Sequence, residues 1–269
     1  MAPCGPLRQA DGGSSLSSAT LIIGWGFTVT VAAALLYAAR TVWRRPTSKA
    51  LRAARARLAL WWAGAATLFL LNATSTGLYL LGVDTPGVHR TLHALLPIPI
   101  TVALWALATH LIFLYTGHLR ASAPVGVLAF LLYGFAVYHE LALGPWNLEV
   151  GAWEVHLVDT SPDGAALHAA YALLVLIPIF ASTVAYAALV FRLRDPTQRF
   201  RVLLVSAACL QWVLVIGAGI ALGAVDAPWF PLLYQAPGIV AALLVVLAYS
   251  PPAFLLRALG LVHGTRSTG

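Results

Sequence analysis

Residues 91–119 read TLHALLPIPITVALWALATHLIFLYTGHL, with no Asp, Glu, Lys or Arg between Arg90 and Arg120. A helix needs roughly 20 apolar residues to cross a hydrocarbon core about 30 Å thick. Only helices and closed barrels satisfy their own backbone in lipid, and an unbroken run of this length is not a barrel strand. Outward from this window, uncharged stretches recur at 12–39, 58–83, 121–139, 164–191, 202–225 and 227–256. The whole chain of 269 residues is 60% hydrophobic and 9% charged, whereas soluble domains carry about 25% charge. A water-soluble fold is excluded. The sequence predicts an all-α membrane protein, a bundle of seven transmembrane helices over 19–256. A polar amino-terminal tail at 1–18 and a short carboxyl-terminal tail at 257–269 flank it.

The charges set the orientation. Arg40, Arg44, Arg45, Lys49, Arg52, Arg55 and Arg57 separate the first two windows, Arg120 the third and fourth, and Arg192, Arg194, Arg199 and Arg201 the fifth and sixth. With seven spans, all of the 16 Lys and Arg residues except Arg8 and Arg90 share one side. Short cytoplasmic loops carry such an excess, so the amino terminus is expected outside and the carboxyl terminus in the cytoplasm of a plasma (inner) membrane. The net charge of +7 then reflects topology and contact with anionic headgroups of the lipid bilayer, and no nucleic-acid partner is expected. The first eighteen residues lack the basic-then-apolar order of a cleavable leader. Cys4 and Cys209 are placed too differently to suggest a disulfide framework.

The outer segment between the fourth and fifth spans is patterned. In WNLEVGAWEVHL, residues 146–157, apolar and polar residues alternate on both sides of Gly151-Ala152, which reads as a β-hairpin around a two-residue turn. That turn would set Glu149 opposite Glu154 and Asn147 opposite His156, with the Trp, Leu and Val face covering the bundle. Like charges directly opposite one another destabilise a hairpin. Pro97, Pro99, Pro178, Pro231 and Pro237 fall inside spans and are read as structural kinks. Gly219 and Gly223, four apart, allow close helix packing inside the bundle. Trp43, Trp61 and Trp62 at the inner boundary, with Trp146, Trp153 and Trp229 outside, are expected as interfacial anchors. Asn72, Gln211 and Gln235 are read as interhelical hydrogen-bonding groups, and Trp105 and Trp212 as core.

Five of the eight histidines gather at the outer surface: His89 and His93 one helical turn apart, His139 beside Glu140, His156 in the hairpin and His168 one turn into the fifth span. Imidazole and carboxylate are ordinary ligands for zinc or copper, and imidazole titrates near neutral pH. His93, His139, Glu140 and His168 form the candidate metal set. The same residues also suit proton sensing or polar ligand contact, or simply separate interfacial hydrogen bonds. His110 lies about 25 Å deeper than His93 and lacks an evident partner for a bis-histidine haem. Arg90 to Pro99, RTLHALLPIP, loosely resembles the third helix of microbial rhodopsins. A retinal Schiff base needs a lysine within the bundle, and the only lysine is Lys49 in the first cytoplasmic loop. Covalent retinal is excluded.

Tyr115-Thr116-Gly117-His118, after an apolar run, resembles the Y-T-G-R stretch of the amino-terminal seven-helix sensor region of bacterial and archaeal histidine kinases. Gly144-Pro145-Trp146 and Arg199-Phe200-Arg201 are placed similarly. His118 stands where that family has arginine, and the tail after Leu256 holds no kinase boxes. The resemblance implies a sensor or receptor-like module, expected as a stand-alone one from that tail, and the histidine cluster is the expected place of its response to an outer ion, proton or small ligand. It further implies a separate signalling partner at the cytoplasmic loops. No catalytic constellation stands out, so an enzyme is not expected. A membrane redox, metal- or haem-binding subunit and a small-solute transporter are the alternatives. No charged residue lies at mid-span, where coupled transport expects one.

Overall fold

The computed structural model describes residues 16–45, 48–118, 124, 126–128, 131, 134–135, 146–159, 164–222 and 229–260. In chain order they form α1 (Leu16–Arg44), α2 (Lys49–Leu80), α3 (Pro86–Leu95), α4 (Pro97–Thr116), β1 (Trp146–Val150), β2 (Val155–Asp159), α5 (Gly164–Arg192), α6 (Pro196–Ala221), α7 (Phe230–Tyr249) and α8 (Ala253–Ala258). Of the fourth window, the described residues between 124 and 135 are helical. Among the described residues, five stretches are long and apolar enough to cross a membrane: Ser18–Arg44, Leu51–Leu80, Pro86–Thr116, Pro196–Gly219 and Phe230–Tyr249. The chain is a membrane helical bundle.

The helices pack as a closed circuit: α4 on α2, α2 on α1, α1 on α7, α7 on α6, α6 on α5 and α5 on α4. Lipid tails are as apolar as leucine, so helices in a bilayer associate through close van der Waals packing rather than water exclusion. The core reflects this in its small residues, with Ala32, Ala38, Ala66, Ala106, Ala241 and Ala248 fully buried among Leu35, Trp62, Phe69, Leu107 and Val245. Gly64 brings α2 so near α4 that a Cβ there would stand 2.9 Å from the Pro99 carbonyl oxygen. Ile23, Tyr37, Ile177 and Leu243 point outward, as lipid-facing residues should.

Two expectations are corrected. Trp61 and Trp62 are buried in the core rather than anchored at an interface, while Trp43 and Trp229 are exposed as expected. The third span is broken, with α3 ending before Leu96 and α4 starting at Pro97. Pro97 has no N–H to give the His93 carbonyl four residues back. The Leu96 N–H takes that oxygen instead, at 3.0 Å. The shortened turn separates the 10-residue α3, carrying His89 and His93, from the 20-residue α4. Gly219 meets the Phe230 ring of α7, an internal contact as anticipated, while Gly223 lies outside the described residues.

Candidate functional site

The hairpin forms, but its register differs from the predicted one. Glu149 pairs with His156, Leu148 with Leu157 and Val150 with Val155, and the Gly151 N–H donates to the Glu154 carbonyl at 3.0 Å. Ala152 and Trp153 make the bend, one residue later than expected, and β2 runs on to Asp159. A two-residue register shift leaves each side chain on its original face. It replaces the Glu149–Glu154 repulsion with a Glu149–His156 pair. A Gly-first hairpin turn needs positive φ at Gly151, and positive φ among the described glycines occurs at Gly82, Gly117 and Gly260.

The hairpin is clamped to the bundle in three ways. Leu148, Val155 and Leu157 bury against Leu21 of α1, flanked by Tyr79 and Leu80 of α2. The Val155 N–H donates to Thr76 Oγ1 of α2 at 3.1 Å. The Trp153 carbonyl sits directly on Gly24 of α1, where an added Cβ would stand 1.9 Å from its oxygen. Val150, by contrast, stays exposed.

The register shift also frees Glu154 from the strand, and its carboxylate turns into the bundle. Gln235 of α7 donates through Nε2 to Glu154 Oε2 at 3.5 Å, and the Tyr234 hydroxyl bonds both Glu154 and Asn72 of α2. Gln235 is buried, and its Oε1 lies 2.8 Å from Thr28 Oγ1 of α1. A single carboxylate on the hairpin is thereby linked to α1, α2 and α7. Burial pushes the Glu154 carboxyl up to about 7, with the Tyr234 hydrogen bond opposing it.

Beneath the hairpin lies a cavity of about 190 Å³, lined among others by Asn72, Ser75, His89, His93, Glu154 and His156. It is smaller than the roughly 300–1,000 Å³ of drug-sized pockets and closer to the 150 Å³ cavity that holds one aromatic ring. His89 is fully buried; its Nε2 lies 2.9 Å from the Val83 carbonyl and its Nδ1 2.7 Å from Ser75 Oγ. A carbonyl only accepts, so Nε2 carries the proton and Nδ1 accepts from the serine in the neutral ring. Both nitrogens are engaged, which makes His89 a structural wall. His93 is half-buried and faces the same space. His156 keeps an exposed edge, yet desolvation lowers its pKa, with Glu149 opposing and His93 adding to the effect.

Of the four predicted metal ligands, His93 therefore lines the cavity. His139 and Glu140 lie outside the described residues, as does the side chain of His168 on α5. Among the described residues no three His, Cys, Asp or Glu side chains are grouped to hold a metal ion. Glu154 and Tyr234 were missed by sequence reasoning, and Asn72 and Gln235 were read only as glue. The one available signal was the charge conflict that the predicted register placed on Glu149 and Glu154.

The fold has a solved counterpart. It is similar to squid rhodopsin. The match has a TM-score of 0.50 at 11% identity and covers 90% of this chain and 84% of that one. At this identity the likeness concerns architecture alone: the neighbour is a membrane receptor rather than an enzyme. No family model matches the chain, and no curated protein matches it significantly.

At the opposite end of the bundle, His110 Nδ1 donates to the Ala54 carbonyl at 2.7 Å, the partner its sequence context did not reveal. Tyr115 donates its hydroxyl to the Ala185 carbonyl of α5 at 2.5 Å, beneath the Arg192 guanidinium. Gly117 closes α4 with positive φ.

Proposed function

We propose that this chain is a seven-helix, receptor-like module of the plasma membrane, amino terminus outside and carboxyl terminus cytoplasmic. It responds to extracytoplasmic protons or to a small polar ligand taken up beneath the hairpin. The observation that carries this reading is the convergence of Glu154, His93 and His156 on one small cavity, with Glu154 hydrogen-bonded onward to α7. A carboxyl pushed up to about 7 is held on a short hairpin beside an imidazole, and its charge state is felt by side chains of three helices. This is the arrangement a switch needs: a local charge change acting on a movable element. The Tyr115-Thr116-Gly117 resemblance to kinase-linked sensor regions supports the reading, as does the receptor-like fold. The arginines around the α5–α6 connection, Arg192, Arg194 and Arg199, are the surface offered to a separate signalling partner.

The test reads the cytoplasmic side. A fluorophore is placed on Arg194→Cys in a Cys4→Ser background, where buried Cys209 does not react. The protein is reconstituted in nanodiscs and taken from pH 8 to pH 5.5. The emission of the label is expected to shift, and the Glu154→Gln/His156→Gln double variant is expected to lose the shift. An unchanged cytoplasmic signal in the parent, or an equal signal in the double variant, refutes the proposal.

A further inference from the structure

Away from the hairpin, the ends of α1, α2, α6 and α7 bring three arginines together. Arg45, just after α1, donates through Nη1 to the Tyr249 carbonyl at the end of α7, at 2.5 Å. Arg55 of α2 donates through Nη1 to the Arg45 carbonyl. Arg201, in the second turn of α6, lies within electrostatic reach of both arginines and of the Tyr249 phenol. Tyr186 of α5 is buried beside Tyr249 and Cys209. Arg201 Nε and the Tyr186 hydroxyl are buried with no hydrogen-bond partner. Arg57 Nε and the indole nitrogens of Trp61 and Trp62 share that condition, so every such orphan among the described residues is a donor.

Buried donors left unpaired are destabilising, and clustered cations repel one another. The sequence places one acid on this side, Asp195, and its Oδ1 already accepts the Thr197 N–H at 3.0 Å. Among the described residues, Arg201 Nε has no acceptor oxygen to meet.

We propose that the cluster is a binding site for one phosphate group, gripped by Arg45, Arg55 and Arg201. Guanidinium forks match phosphate oxygens in pairs, and basic pockets between spans on the cytoplasmic side are where acidic headgroups settle. Exposed Trp43, two residues before Arg45, marks the headgroup level. The phosphate belongs either to an inner-leaflet anionic phospholipid or to a soluble phosphate, and the same donors serve both. The site is independent of the hairpin cavity and stands or falls separately from the sensor reading.

The test uses delipidated full-length protein in neutral detergent and follows thermal unfolding. Short-chain phosphatidylglycerol, short-chain phosphatidylcholine and inorganic phosphate are added in turn. Phosphatidylglycerol near saturation is expected to raise Tm by about 2–4 °C or more and phosphatidylcholine to do little. The Arg201→Gln variant should lose the rise, and Arg44→Gln, outside the cluster, should keep it. A rise with phosphatidylglycerol but not phosphate assigns the site to lipid, and a rise with both assigns it to phosphate from solution. No rise with either, an equal rise with phosphatidylcholine, or an equal rise in Arg201→Gln overturns the proposal. If Arg201→Gln does not fold, Arg45→Gln replaces it, with an expected loss of about tenfold in apparent affinity. Unchanged affinity there overturns the site.

Discussion

The Glu154 carboxyl makes hairpin docking depend on pH, and the structure supplies the size and the sign. Its pKa rises from an ordinary 4.5 to about 7 because the docked hairpin takes the carboxyl out of water. That gap corresponds to at most about 3 kcal/mol between docked and free hairpin, since the carboxyl keeps some contact with solvent. The folded pKa is the higher one. The stabilisation is therefore fully present below pH 4.5 and is lost as pH rises through 7. His156 works the other way. Its lowered pKa gives a contribution present above 6.5 and lost as pH falls through the lowered value. The two oppose one another just below 6.5, and Glu154 acts alone above that. In the His156→Gln variant the Glu154 contribution is uncovered over its whole range. Hydrogen exchange at the Val155 amide, which bonds Thr76, reads docking directly once corrected for intrinsic rate. Protection in His156→Gln should fall by up to about 100-fold from pH 4.5 to above 7. Adding Glu154→Gln should flatten the profile. A flat profile in the single variant, or an equal slope in the double variant, would refute the reasoning.

Two further outcomes are expected. Gly24→Ala forces a Cβ into the Trp153 carbonyl and should release the hairpin at about 1–3 kcal/mol, seen as new protease cleavage around 151–154. Gly26→Ala, with nothing within 4 Å of its Cβ, should be neutral or stabilising by up to about 1 kcal/mol. Equal proteolysis of the two variants would show that the Gly24 contact does not hold the hairpin. His89→Leu keeps the bulk but strands the Ser75 hydroxyl and the Val83 carbonyl, so thermal unfolding in detergent should reveal a loss of about 1–3 kcal/mol. An unchanged Tm would contradict the assigned bonds.

The helices were legible because a bilayer imposes a minimum length on uncharged runs, which the sequence shows without reference to packing. The hairpin was legible from alternation, and Leu148 and Leu157 bury as that alternation requires. Its register was not. The turn was placed by the glycine, whereas Glu154 is drawn off the strand by Tyr234 and Gln235, some eighty residues downstream in a helix with no local trace of the interaction. His89 and His93 looked equivalent by spacing. The Pro97 break and the nearby Ser75 and Val83 separate them into a sealed wall and a cavity residue. Trp61 and Trp62 were misplaced because a charge boundary in the sequence does not mark the depth to which α2 is enclosed by its neighbours.

The seat of the Trp153 carbonyl on Gly24 is a contact between main chains, and this has a consequence for how the two positions tolerate change. A carbonyl oxygen is the same whatever side chain follows it, so position 153 can vary without unseating the tip. Position 24 has no such latitude, since any side chain begins with the Cβ that has no room. The instruction to dock is therefore written on the helix and not on the loop. The bend could be redecorated with new chemistry facing the outside while its attachment stays intact. That separation lets the free edge of the hairpin drift while its attachment to α1 is held fixed.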